Sequence, residues 1–126
     1  MFSGDTSLPS VLLVEDEAFL RELVMENLQD AGYSVFEASN GNDGVDVLRS
    51  EQHIDVLLSD IKLPDIDGYT VAQIGKRLRP ELKVILMTGY APSPLPDALQ
   101  KLVYRVLQKP FSLNTLPKVV AAALEA

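Results

Sequence analysis

Residues 54–68 read IDVLLSDIKLPDIDG, and the fold follows from how this stretch divides into an apolar run, a lone Asp and a turn. Ile54, Val56, Leu57 and Leu58 form a run too short for a typical helix and too continuous for a strand wetted on one face. The run predicts a strand buried on both faces, as in a parallel sheet. Asp60 then stands at the strand's carboxyl end, the edge where open α/β sheets gather their ligand sites. Pro64 and Gly68 break the pattern and turn the chain into the next helix. Taken alone, an Asp at a strand end is more often a turn former than a nucleophile or metal ligand, so its partners decide the reading.

Working outward, the same apolar runs recur. Ser10 to Val14 predicts a first strand ending in Glu15, Asp16 and Glu17. Leu20, Leu23, Val24 and Leu28 follow at helical spacing to about Ala31, where Gly32 supplies the stop. Tyr33 to Glu37 predicts a second strand, and Asn40 to Gly44 a turn into a helix carrying Val45, Val47 and Leu48. After the central strand, a helix is expected from about Asp67 to Leu78, weakened by Gly75. Lys83 to Met87 predicts a fourth strand, ending at Thr88 and Gly89. Pro92, Pro94 and Pro96 then deny regular helix until about Asp97, leaving only Asp97 to Lys101 for a fourth helix. Leu102 to Gln108 predicts a fifth strand that ends at Lys109 and Pro110. Ser112 is a candidate cap for the last helix unless Pro117 moves its start towards Thr115.

Five strands alternating with helices predict a parallel sheet with helices on both faces and right-handed crossovers. The economical strand order is 2-1-3-4-5, a flavodoxin-like, doubly wound α/β fold with an irregular fourth helix. Its topological switch point lies between the carboxyl ends of the first and third strands. Residues 10–126 are expected to form this one domain, with no output domain in them, behind a flexible lead over residues 1–9.

The 126-residue chain has no Cys and one His, which excludes thiol catalysis, disulfide scaffolds and histidine-rich metal sites. His53 reads as a solvated loop residue. A formal charge of −7 argues against nucleic-acid binding, which rests on cations neutralising phosphates. No apolar run nears the roughly 20 residues that span a bilayer, and a soluble, cytoplasmic protein is expected.

In the predicted order, Glu15, Asp16 and Asp60 share one pocket, with Thr88 and Lys109 on its far side. Carboxylates at about 4 Å repel by about 4 kcal/mol per pair at an effective dielectric constant near 20, so a compensating cation is required. A hard divalent ion with oxygen ligands, Mg²⁺ above all, fits. Acids, a lysine and a hydroxyl at neighbouring strand ends suit phosphoryl transfer, with Asp60 as nucleophile.

Glu15 and Asp16, Asp60 with Pro64 and Gly68, Thr88 with Gly89, and Lys109, Pro110 and Phe111 together resemble the receiver domains of two-component response regulators. The wording LMTGYA and LQKPFS is most similar to receivers of hybrid histidine kinases or stand-alone regulators. The resemblance implies that Asp60 accepts a phosphoryl group from phosphohistidine. It implies that Glu15, Asp16, Asp60 and the main-chain carbonyl of Lys62 hold Mg²⁺, and that Thr88 and Lys109 contact the phosphoryl group. A histidine kinase or histidine phosphotransfer domain is the expected donor. It is expected to dock on the exposed side of the first helix, around Ala18 to Met25, and on the loop at Pro110 and Phe111.

The pattern departs from the family in three places. Val106 stands where receivers usually carry a switch aromatic, leaving Tyr104 and Tyr90 as candidates to replace it. The prolines interrupt a helix on which many receivers dimerise, so a monomer or weak dimer is expected. Leu63 replaces the commoner Met, a small change in volume. Two other functions fit the same residues. One is a Mg²⁺-dependent aspartyl-phosphate phosphatase, disfavoured because Lys62 stands where such hydrolases often place a second Asp. The other is a constitutive interaction module with an unused site. Asp65 and Asp67 read as turn and cap residues, and the Lys109–Pro110 bond as a candidate cis peptide. The domain is expected to catalyse only its own phosphorylation and dephosphorylation, not turnover of other substrates.

Overall fold

A computed structural model describes residues 8–90 and 94–126. Most of the predicted lead, and Pro92 of the proline series, lie outside the described residues. Ten elements alternate in chain order: β1 (Ser10–Val14), α1 (Ala18–Asp30), β2 (Ser34–Ala38), α2 (Gly41–Arg49), β3 (Val56–Asp60), α3 (Gly68–Leu78), β4 (Lys83–Thr88), α4 (Asp97–Gln100), β5 (Arg105–Gln108) and α5 (Leu116–Glu125). The sheet is parallel, in the order β2-β1-β3-β4-β5, as the doubly wound reading requires.

Alternation along each strand builds two cores. Leu12, Val14, Leu57, Val84 and Leu86 face one way and pack with Val45 and Leu48 of α2 and Val71 and Ala72 of α3. Val11, Leu13, Val56, Leu58, Ile85 and Met87 face the other way, against Val24 and Leu28 of α1 and Leu116, Val120 and Ala123 of α5. Covering both faces leaves β1 and β3 buried at every position, which is why their sequences are continuous apolar runs. Each buried Leu contributes about 2–3 kcal/mol of transfer free energy, which favours covering the sheet on both faces.

Several boundaries differ from the sequence reading, each for a local reason. The predicted turn at Asn40–Gly44 is instead the first turn of α2: Asn40 Oδ1 accepts the Asp43 N–H at 2.8 Å and starts the helix at Gly41. β2 lies one residue later than expected, at Ser34–Ala38, because Gly32 and Tyr33 complete the end of α1. There Gly32, at φ 99°, donates to the Gln29 carbonyl and Tyr33 to the Leu28 carbonyl, the left-handed stop that glycine allows.

β5 covers only Arg105–Gln108, since the N–H groups of Leu102 and Val103 fold back on the Leu99 carbonyl and extend the turn after α4. Tyr104 therefore precedes the strand rather than lying on it. Ser112 does not cap α5. Its hydroxyl accepts from Asn114 and its carbonyl from Thr115 and Leu116, forming a separate turn. Helix α5 starts at Leu116 with Pro117 in its first turn, where the missing N–H is harmless. The Lys109–Pro110 bond is cis.

Candidate functional site

Parallel register carries the chemistry to one edge. Val14 pairs with Ser59 and Asp60 with Met87, so the residues that end or follow β1, β3 and β4 surround one hollow. Thr88 pairs with Gln108, which places Lys109 directly beyond it. Glu15, Asp16, Asp60, Thr88 and Lys109 all line a cavity of about 650 Å³, with Lys62 and Tyr90 at its wall.

The geometry is close. Carboxylate oxygens of Glu15, Asp16 and Asp60 lie within 4.8 Å of one another. Lys109 Nζ stands 2.8 Å from Glu15 Oε1 and 2.6 Å from Asp60 Oδ1, with the acid side chains 1% and 7% exposed. Asp16 is exposed at the mouth. A buried acid pair with one fixed cation divides its charge unevenly. Burial, then hydrogen bonding and repulsion from Glu15, push Asp60 up to about 7 against the pull of Lys109. Burial also opposes ionisation of Glu15, but hydrogen bonds from Asp60, Lys109 and the Glu17 N–H outweigh it and hold Glu15 below its ordinary value. Lys109, although half-buried, is held above its ordinary value by the two acids. Of the two buried acids Glu15 is therefore the more readily ionised and Asp60 the one that keeps its proton to higher pH.

The frame around these groups is made of main-chain bonds. Ile61 N–H donates to the Met87 carbonyl and Lys109 N–H to the Thr88 carbonyl, tying the loops after β3 and β5 to β4. Gly68 starts α3 so close to Asp60 that a Cβ there would collide with the Asp60 carbonyl. Thr88 Oγ1 accepts the Tyr90 N–H at 3.1 Å and keeps its own proton free to donate.

The matched family model is the response regulator receiver domain, over residues 11–121. The chain belongs to the response regulator receiver family. Members of this family are the phosphoacceptor signalling domains of two-component systems. The receiver is 35% identical over 118 residues to the response regulator receiver protein CpdR of Brucella abortus, covering 90% of this chain and 98% of that protein. It is 34% identical to the sensor kinase CckA of the same organism and 32% identical to the autoinducer 1 sensor kinase/phosphatase LuxN of Vibrio harveyi. These matches cover 92% and 89% of the receiver but only 12% and 13% of the two kinases. Among solved structures, a CheY-like receiver from Methanospirillum hungatei superimposes with a TM-score of 0.85 at 28% identity, over 94% of this chain and 95% of that one. The receiver of the hybrid histidine kinase CckA gives 0.79 at 29% identity, over 91% and 98%.

Glu15, Asp16, Asp60, Lys62, Thr88, Lys109 and Tyr90 line this pocket, whereas Tyr104 and Val106 do not and Pro110 and Phe111 line a neighbouring one. Three contacts around the site were not legible in the sequence. Arg21 of α1 donates from a terminal nitrogen to the Glu15 carbonyl at 2.8 Å and from Nε to Glu37 at 2.9 Å, fixing the loop after β1. Lys62 Nζ donates to Tyr90 Oη at 3.1 Å, so Tyr90 lies exposed across the pocket mouth. The carboxylate of Asp65 bonds not to its own turn's helix but to the start of α2. No spacing rule links residues paired across loops in this way.

Proposed function

We propose that Asp60 is the phosphoacceptor of this receiver and that it takes its phosphoryl group from the phosphohistidine of a histidine kinase or a histidine phosphotransfer domain. The observation that carries the reading is the Lys109 ammonium seated between Asp60 and Glu15 at 2.6 and 2.8 Å. It is a fixed positive charge touching the nucleophile, where phosphoryl oxygens would arrive.

In the transfer an Asp60 carboxylate oxygen attacks phosphorus, the N–P bond breaks, and the imidazole leaves with the bonding electron pair. Lys109 pairs with an equatorial oxygen and relieves the charge that gathers there. Thr88, whose hydroxyl proton is not engaged by the Tyr90 N–H, donates it to another oxygen. The three carboxylates fit a hard divalent ion, since their oxygens lie within 4.8 Å and such ions take oxygen ligands. Glu15, Asp16, Asp60 and the main-chain carbonyl of Lys62 would hold Mg²⁺, which supplies positive charge that lets an anionic donor approach an acidic pocket.

Two features support the donor's docking place. Phe19 on α1 is 72% exposed. Beside it, Leu20 and Leu23 with Pro110, Phe111 and Leu113 line an apolar cavity of about 470 Å³ that opens next to Lys109. We take the domain to act in the cytoplasm as a monomer or weak dimer, free of nucleic acid and membrane. No helix among the described residues is long and apolar enough to cross a membrane. Its chemistry is confined to gaining and losing its own phosphoryl group, because Lys62 offers no second carboxylate for repeated hydrolysis.

Incubation with Mg²⁺ and acetyl phosphate tests this. One acid-labile, hydroxylamine-sensitive phosphate per chain is expected in the wild type and none in Asp60→Asn. Unchanged uptake in that variant refutes the assignment.

A further inference from the structure

The loop between Asp60 and α3 bears the Lys62 carbonyl, yet little of its own main chain holds it. Its ends are fixed, by Ile61 N–H to the Met87 carbonyl and by Gly68 N–H to the Ile61 carbonyl. From Lys62 to Ile66, among the described residues, no main-chain hydrogen bond to another element's main chain occurs. The middle of the loop is instead held by side chains, and the one that bonds another element's main chain is Asp65. Asp65 Oδ1 accepts the Gly41 N–H and Oδ2 the Asn42 N–H, both at 2.8 Å. These are first-turn amides of α2, which need partners and carry the positive end of the helix dipole.

The anchor on the other side is rigid. Helix α2 buries Val45 and Leu48. Gly44 is pressed so closely on Val14 that an added Cβ would lie 2.9 Å from it. Arg79 bonds the Leu48 and Ser50 carbonyls at the helix's far end. Contact at the near end is equally tight: a Cβ on Gly41 would lie 2.8 Å from the Ile66 carbonyl oxygen. Leu63 and Ile66 pack against the core and Lys62 Nζ reaches Tyr90, but it is the two Asp65 bonds that tie the loop's middle to the main chain of a packed helix.

We infer that Asp65 is a positioning residue for the cation site: its bonds to Gly41 and Asn42 hold the 61–67 loop at the height that presents the Lys62 carbonyl to the pocket. The inference rests on the proposed Mg²⁺ site, in which Asp65 itself takes no part. An Ala at 65 removes both acceptors, and an Ala at 41 wedges the same contact apart from the helix side. Both changes displace the carbonyl without touching Glu15, Asp16 or Asp60.

The test titrates Mg²⁺ by calorimetry into wild type, Asp65→Ala, Asp65→Asn, Gly41→Ala and the 41/65 double variant, at a temperature where circular dichroism shows each folded. Asp65→Ala and Gly41→Ala are expected to raise the dissociation constant about tenfold, in the range of other outer-shell losses. The double variant is expected to be no worse than the weaker single, since both break one contact. Asp65→Asn keeps one accepting oxygen and is expected to recover part of the affinity. Uptake from acetyl phosphate falls at limiting Mg²⁺ and returns at saturating Mg²⁺. Wild-type affinity in a folded Asp65→Ala overturns the inference, as does an uptake defect that persists at saturation. If Asp65→Ala does not fold, the affinities of Asp65→Asn and Gly41→Ala decide in the same way. A wild type that binds no Mg²⁺ brings down the functional reading together with this one. Normal wild-type binding matched by every variant brings down this one alone.

Discussion

Lys109 sits between two carboxylates that burial has set against each other. Asp60 is pushed up to about 7, by burial first and then by Glu15. Between about pH 4 and 7 the folded chain therefore holds a proton that the unfolded chain has released. Bound protons then favour the folded state, so stability falls as pH rises through that window. The loss is on the order of 2 kcal/mol once solvent at the pocket mouth screens it. In chelator, the urea midpoint of the wild type is expected to drop from pH 4.5 to 7.5, and Asp60→Asn to lose most of that slope. A flat wild-type profile would contradict the assignment of the proton. At this scale the pocket acids, Thr88 and Lys109 were legible because each ends or follows an apolar run. The roles of Arg21 and Asp65 were not: their partners, Glu37 and the 41–42 amides, are adjacent only in space.

At the scale of elements, two residues set where helices begin. Asn40 accepts the Asp43 N–H, so Asn40→Ala is expected to cost about 1 kcal/mol, read as a lower urea midpoint with uptake retained. Gly68 brings α3 against the Asp60 carbonyl, with Ile61 Cα only 2.9 Å from where its Cβ would lie. Gly68→Ala has main chain to displace, and about 1–3 kcal/mol of overpacking follows. Because the displaced atoms belong to Asp60, phosphoryl uptake is expected to fall as well. A Gly68→Ala protein with wild-type stability and uptake would show that the two segments part freely. The helix of Asp97–Gln100 was legible from its prolines, whereas the short β5 and the early start of α2 were not. Both boundaries are set by hydrogen bonds, at the Leu99 carbonyl and the Asn40 side chain, that composition does not rank against a turn or a longer strand.

Across the whole molecule, the pocket exists only when four loops meet, so a ligand of the pocket stabilises the entire fold. With Mg²⁺ at about 100 times its dissociation constant, stability is expected to rise by about 2.7 kcal/mol. Calorimetry should register this as a higher Tm than in chelator, and an unchanged Tm would count against the cation site. By itself the sequence determined the five strands, their order and the edge at which the acids gather. Short continuous apolar runs alternating with helical segments are best satisfied by burial in a parallel sheet covered on both faces, and that sheet delivers strand ends to one side. Only the tertiary structure decided how the acids share a proton, what Lys62 and Tyr90 do at the mouth, and which helix Asp65 holds. Those outcomes depend on distances of about 3 Å between segments far apart in the chain, and they are fixed by packing rather than by local pattern.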